Sequence, residues 1–265
     1  MTPILQTRLS YDPTNHRPLP GVAPLDPDDW IICDDAHAAQ MAERARLLAE
    51  KRDTVVAMDE TARPAALELL DAVLEVLSQR PDHEVSEGQV RRPDGVVVAL
   101  DRTAPMVTLG HLVQQDLCLM EKRGAEHVLS AAVLCFPASW TLEEKFMRPL
   151  TGIHIPVDSY DDSMARRVQR LFDGVQVGRP LWRFNALWYV DPSLHQPRRE
   201  NDRRAERGAQ DARYLRTERQ SILRLPQSGA VVFGIHTSVL ERAVVHALWP
   251  QSEPSMRPAM MAMAF

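Results

Sequence analysis

The sequence predicts an α+β fold built on an antiparallel sheet, and three observations carry that class. Two stretches read as hairpins: Leu117 to Met120 with His127 to Phe136 around Lys122-Arg123-Gly124, and Glu218 to Leu225 with Ala230 to Thr237 around Pro226-Gln-Ser-Gly229. Helix-period segments are interspersed with them instead of alternating one-for-one with strands, which disfavours a doubly wound parallel sheet. No repeat of 20 to 50 residues is visible, which removes solenoids and propellers.

Residues 1 to 30 hold six prolines, too many for a continuous helix, and are expected as an extended arm on the body, with Trp30 pinning its end. Ala36 to Lys51 is rich in helix formers with a weak stripe at Ala39, Met41, Ala45 and Leu48, a surface helix. Pro64 to Arg80 is a clearer helix, with proline in its first turn and Leu67, Leu70, Leu74 and Leu77 opposite Glu68, Asp71 and Glu75. Pro93-Asp94-Gly95 is a turn leading into a short strand at Val96 to Val98. Ala131 to Phe136 is a purely apolar run and the best core candidate.

Thr141 to Glu144 has capping-box spacing and starts a short helix stopped before Pro149. A second helix spans Tyr160 to Phe172 behind the cap candidates Asp158 and Ser159. Leu181 to Val190 is an aromatic-rich strand on which period two puts Arg183 and Asn185 on one face. Residues 198 to 219 carry eight arginines and five acids with almost no apolar side chains, and read as a solvated segment. The expected organisation is an arm (1 to 30), a single domain (31 to 249) and a loose Pro- and Met-rich tail (250 to 265).

Composition narrows the function. A net charge of −5 gives no basic field for nucleic acid, and the longest apolar run is far below the roughly 20 residues that span a bilayer. Three cysteines (Cys33, Cys118, Cys135) without metal spacing point to a reducing, cytoplasmic setting. No two glycines stand in a Gly-x-Gly pair, and there is no GKS or GKT, HExxH or GxSxG, so dinucleotide, P-loop, zincin and hydrolase templates find no foothold.

Nine histidines remain, of which His127, His154 and His236 abut apolar runs where an imidazole needs a partner. His154 sits in Gly152-Ile-His-Ile-Pro-Val157, a constrained apolar setting that suits one axial metal ligand. A haem iron needs only that ligand, an apolar slot and cations for its propionates. Arg183, Arg219 and Arg224 lie in otherwise apolar strand candidates where a guanidinium requires an anion. Strict alternation puts Arg219 and Arg224 on opposite faces.

The ordered series Leu134-Cys-Phe-Pro-Ala-Ser-Trp140, Glu144-Lys145, Ile153-His-Ile-Pro-Val157, Trp182-Arg-Phe-Asn185, Leu194-His-Gln-Pro197, Glu218-Arg-Gln, Arg224-Leu-Pro and Ser228-Gly resembles the haem-dependent oxidative N-demethylase family, from about Tyr11 to Leu248. Phe184 and Ala186 are the departures around Asn185, where an Arg-x-Asn-Trp pattern is expected. The resemblance implies a PAS-like haem-binding domain that oxidises an N-methyl group of a small secondary amine, such as dimethylamine, with O2 on haem b. It further implies FMN, a 2Fe-2S centre and NADPH on separate reductase subunits; three cysteines and the missing dinucleotide fingerprint agree with that division. The residues it points to are His154 as iron ligand, with His127 and His236 in reserve. Arg183 and Arg219 are expected at the propionates, Arg224 at the propionates or the oxygen site, and Asp116 as acceptor for the substrate ammonium. The alternatives are a haem-based gas or ligand sensor on the same scaffold and a non-catalytic assembly subunit.

Overall fold

The computed structural model describes residues 2–15, 21–154, 162–200, 202 and 211–250, with backbone alone for 154 and 162–165. In chain order its first half contains β1 (Ala23–Pro24), α1 (His37–Glu50), α2 (Arg52–Val55), β2 (Val56–Met58), a 3-10 turn (Glu60–Ala62), α3 (Arg63–Ser78), β3 (Glu84–Val85), β4 (Gln89–Arg91), β5 (Val97–Ala99) and α4 (Pro105–Leu112). The second half contains β6 (Asp116–Arg123), β7 (Glu126–Val133), α5 (Leu142–Lys145), α6 (Leu150–His154), α7 (Asp162–Gly174), β8 (Leu181–Tyr189), β9 (Tyr214–Arg224), β10 (Val231–Glu241) and α8 (Arg242–Leu248).

Both expected hairpins form and become the middle of one sheet. Seven strands pair antiparallel in the order β1-β8-β9-β10-β6-β7-β2, and β3-β4-β5 make a separate three-stranded sheet. The fold is therefore α+β. Gly124 (φ +67°) and Gly229 (φ +69°) turn the two hairpins in a left-handed backbone conformation that residues with a Cβ rarely adopt.

Unbroken registers of β8 on β9 and β9 on β10 fix which side chains share a face. The first face carries Leu117, Leu119, Ala131, Val133 and Val232 against Leu47, Leu69, Leu70 and Leu109 of α1, α3 and α4. The second carries Cys118, Met120, Ala132, Ile222, Val231 and Phe233 against Trp140, Leu150, Val168 and Phe172 from the segments around α5, α6 and α7. Each fully buried leucine or phenylalanine contributes about 1.5–3 kcal/mol. On the first face α4 lies close enough to β7 that a Cβ on Gly110 would stand 2.8 Å from Val133 Cγ2.

Several elements depart from the sequence reading. The buried stripe of α3 is Ala66, Leu69, Leu70, Val73 and Leu77, so Leu67 and Leu74 flank it. Helix α1 is no loosely held surface helix: Gln40, Met41, Arg44 and Leu47 are inside, while Ala39 is exposed. The main correction concerns 198 to 219, whose last six residues are the first half of β9, a strand with neighbours on both sides. There Arg216 and Arg219 are buried because carbonyls and a carboxylate receive them.

No helix occurs among the described residues before His37. Pairing of β10 with β6 ends at Ile235 and Asp116, and beyond it Gln6 takes over that edge, exchanging hydrogen bonds with the Val239 backbone. The cap candidates Asp158 and Ser159, residues 203–210 and the tail from 251 lie outside the described residues.

Candidate functional site

The second face of the sheet changes character toward β8. In register, Asn185 of β8 stands opposite Glu218 of β9, which stands opposite Thr237 of β10; in the next row Arg183 stands opposite Gln220, and Gln220 opposite Ile235. A polar patch thus interrupts an apolar face, bounded by Ile222 and Phe233 at one end and Leu187 and Val239 at the other.

The β9 and β10 side of the patch is buried but not saturated, while Arg183 and Asn185 on β8 are half-buried. Gln220 and Thr237 are each 1% exposed, and Gln220 Oε1 and Thr237 Oγ1 have no hydrogen-bond partner among the described residues. Glu218 Oε2 accepts from Asn185 Nδ2 at 3.3 Å and from Gln220 Nε2 at 3.4 Å, both at the long limit for a hydrogen bond. Arg216 Nε lies 3.7 Å from Glu218 Oε1, while its NH1 donates to the Ser193 and Leu194 carbonyls and its NH2 to that of Phe136. Burial pulls the Arg183 guanidinium below the usual arginine range, opposed by the charge of Glu218.

The residues singled out from sequence do not all meet here. Arg183 and Asn185 share this face, as period two requires, and Arg224 points the same way while Arg219 points to the other. Arg224 donates to the carbonyls of Val175, Gly229 and Phe172, each at 2.6 Å, binding the β9–β10 turn to the end of α7. Arg219 on the first face pairs with Asp29 at 3.0 Å and lies over the Trp182 ring. Asp116 heads β6, where its two oxygens take Arg44 NH1 at 2.6 Å and the amides of Cys135 and Phe136 at 2.7 and 2.8 Å.

His154 ends α6, and its side chain lies outside the described residues. His127 is wholly buried against the Phe172 ring; its Nδ1 faces Gln169 Nε2 at 3.0 Å, its Nε2 has no partner, and burial lowers its pKa. His236 is committed on the opposite face to Asp34 at 2.9 Å. Glu218, Gln220 and Thr237 were missed as site residues because they sit in segments read as a hairpin. The available signal was the period-two placement of Glu218 and Gln220 among buried positions, beside a strand already assigned Arg183 and Asn185.

At the open edge of β8 a cavity of about 200 Å3 is walled by Tyr11, Trp182 and Phe184 with Asp12 and Arg183. No group of three His, Cys, Asp or Glu among the described residues is arranged to hold a metal ion. A haem makes different demands: one axial base, apolar walls and guanidinium groups. Among the described residues the second face offers the Arg183 guanidinium, the buried imidazole of His127 against the Phe172 ring, and apolar neighbours such as Ile222 and Phe233.

The family model of haem-dependent oxidative N-demethylase, alpha subunit-like proteins matches residues 21–247. The chain belongs to this family. The match covers the whole seven-stranded sheet and every residue of the polar patch. No helix among the described residues is long and apolar enough to cross a membrane.

Proposed function

We propose that this protein performs haem-dependent oxidative N-demethylation of a small secondary amine such as dimethylamine, in a single PAS-like domain over about residues 31–249. The family match carries the reading. The central five strands run in the order third-fourth-fifth-first-second, which supports the PAS-like assignment. When bound, haem b would supply O2 activation at the N-methyl carbon: one oxygen atom enters the methyl group and the other leaves as water, at the expense of two electrons and two protons. The resulting carbinolamine separates into methylamine and formaldehyde. The electrons come from NADPH through FMN and a 2Fe-2S centre on partner subunits; three free cysteines and the lack of a Gly-x-Gly pair support that arrangement.

In this reading His154 would hold the haem iron, and Arg183 would hold the propionates through charge-assisted hydrogen bonds. Arg224 acts through what it binds, fastening α7 to the β9–β10 turn, and Arg219 ties the β9 edge to Asp29. Asp116 has its carboxylate engaged by Arg44 and two amides, which leaves the acceptor role for the amine to another group.

The first test is the absorption spectrum of the protein as expressed, where a Soret band is expected. His154→Ala should lose stoichiometric haem while keeping its far-UV circular dichroism; full haem with an unchanged spectrum would move the ligand to His127. With NADPH alone the protein should release no formaldehyde, and with a reductase added it should release formaldehyde from dimethylamine. Haem bound normally but no formaldehyde under reducing, aerobic conditions would favour a sensor.

A further inference from the structure

Among the described residues, no group donates to the buried Gln220 Oε1 on β9 or to the buried Thr237 Oγ1 on β10. Leaving a buried donor or acceptor unpaired costs about 1–3 kcal/mol, so two such acceptors beside a weakly bonded carboxylate are a standing demand for a ligand with N–H or O–H groups. We propose that Glu218, Gln220 and Thr237 form the seat for the amine nitrogen, with Glu218 as the counter-charge that selects a protonated amine. The inference rests on the N-demethylase reading and adds to it the residues that recognise substrate.

The geometry favours a secondary amine over an anion or a bulky ligand. Glu218 and Thr237 are direct cross-strand neighbours, about 4.5–5.5 Å apart at Cβ, and Gln220 is two residues along the same face. A dialkylammonium has two N–H donors, enough to reach the Glu218 carboxylate and one of the free oxygens, Gln220 Oε1 or Thr237 Oγ1. Its alkyl groups then meet apolar neighbours in the same rows, Ile235 beside Gln220 and Val239 beside Arg216. An anion would face the Glu218 carboxylate and the Gln220 Oε1 acceptor, with the Thr237 hydroxyl as a single neutral donor. Arg216 does not saturate Glu218, because it spends its terminal nitrogens on backbone carbonyls and approaches the carboxylate only to 3.7 Å. Arg183 stands directly opposite Gln220 on β8, at the rim of this seat, and is assigned to propionates.

Calorimetric titration of the purified protein with amine chlorides tests this directly, since it reads binding whether or not turnover occurs. Dimethylammonium should bind at least tenfold more tightly than tetramethylammonium, and isopropylammonium more tightly than trimethylammonium, which has the same number of heavy atoms but fewer N–H groups. Glu218→Gln should weaken dimethylammonium at least tenfold and raise KM more than it lowers kcat, with haem content unchanged. Thr237→Val, which keeps the shape, should weaken binding severalfold and stands in if Glu218→Gln does not fold. Equal affinities across the amine series, or variants that bind as the parent does, would overturn the seat. A protein without a Soret band that still ranks the amines by N–H count would sink the N-demethylase reading and leave the seat standing. Normal haem and formaldehyde release with no effect of either substitution would do the reverse.

Discussion

Two buried carboxylates on the same sheet, Asp116 and Glu218, are treated in opposite ways. Asp116 is 1% exposed and its two oxygens take a guanidinium and two backbone amides between 2.6 and 2.8 Å. Glu218 is 9% exposed, its hydrogen bonds are 3.3 and 3.4 Å long, and its neighbours Gln220 Oε1 and Thr237 Oγ1 bond to nothing. The first arrangement closes a chain: Arg44 of α1 also donates to the Gly110 and Gln114 carbonyls, so one ion pair joins α1, α4, β6 and the strand end at Cys135. The second is left open. A carboxylate with saturated lone pairs contributes to the fold, and one held at the limit of its bonds is available to a ligand.

The largest expected effect lies on the closed side. Replacing Arg44 with Met removes the guanidinium and leaves Asp116 charged and buried, which should cost about 3–5 kcal/mol. A urea titration reads this as a lower midpoint with an unchanged slope. A loss below about 1 kcal/mol would mean that Asp116 is no more constrained than an exposed acid, and the contrast with Glu218 would fail.

A smaller effect is expected at Asp34, a second saturated acid, which accepts from Gln6, Gln114 and His236 and so holds the segment before α1 to β10. Burial opposes its ionisation, but hydrogen bonding from His236 and the glutamines prevails and brings its pKa down from 3.8 to about 2. A depressed folded-state value means the stabilisation is fully present above the unfolded-state pKa near 4 and is lost as pH falls through about 2. Asp34→Asn should therefore be less stable than the parent by about 2 kcal/mol at neutral pH, with the difference shrinking between pH 4 and 2. A difference independent of pH would show that the carboxylate charge is not what holds the segment.

What the sequence reveals follows the same division. The β6–β7 hairpin, the β9–β10 turn and α3 are legible because apolar period and turn residues are local signals. The first half of β9 is not, since Arg216 and Arg219 look solvated until the carbonyls of Leu194 and Phe136 and the carboxylate of Asp29 are brought to them from far along the chain. The short apolar α4 is also missed, its eight residues being too few to show a helical period. Arg183 and Asn185 are legible as a facing pair, but nothing in the sequence says that Glu218 and Gln220 stand opposite them; that is register, a property of the paired strands. Asp116 is legible only as an acid at a strand head; its burial and its engagement by Arg44, 72 residues earlier, are not.

The smallest expected effect is the most discriminating. Thr237 Oγ1 is buried without a partner, so Thr237→Val removes an unsatisfied hydroxyl and keeps a β-branched side chain of nearly the same shape in a strand. The Thr237 backbone carbonyl, which accepts from Gln40 Nε2 at 3.0 Å, is untouched. Deleting a hydroxyl that bonds to nothing should leave stability unchanged or raise it by up to about 1 kcal/mol, where the same change at a bonded buried hydroxyl would lower it. Thermal unfolding without amine measures this, and its repetition at one high dimethylammonium concentration measures the ligand's contribution: the parent should gain more from the amine than the variant, because stabilisation by a ligand grows as the logarithm of its concentration over Kd. A variant less stable than the parent by about 1 kcal/mol in the absence of amine would mean that the hydroxyl is already satisfied. The open carboxylate beside it would then belong with Asp116, as part of the scaffold.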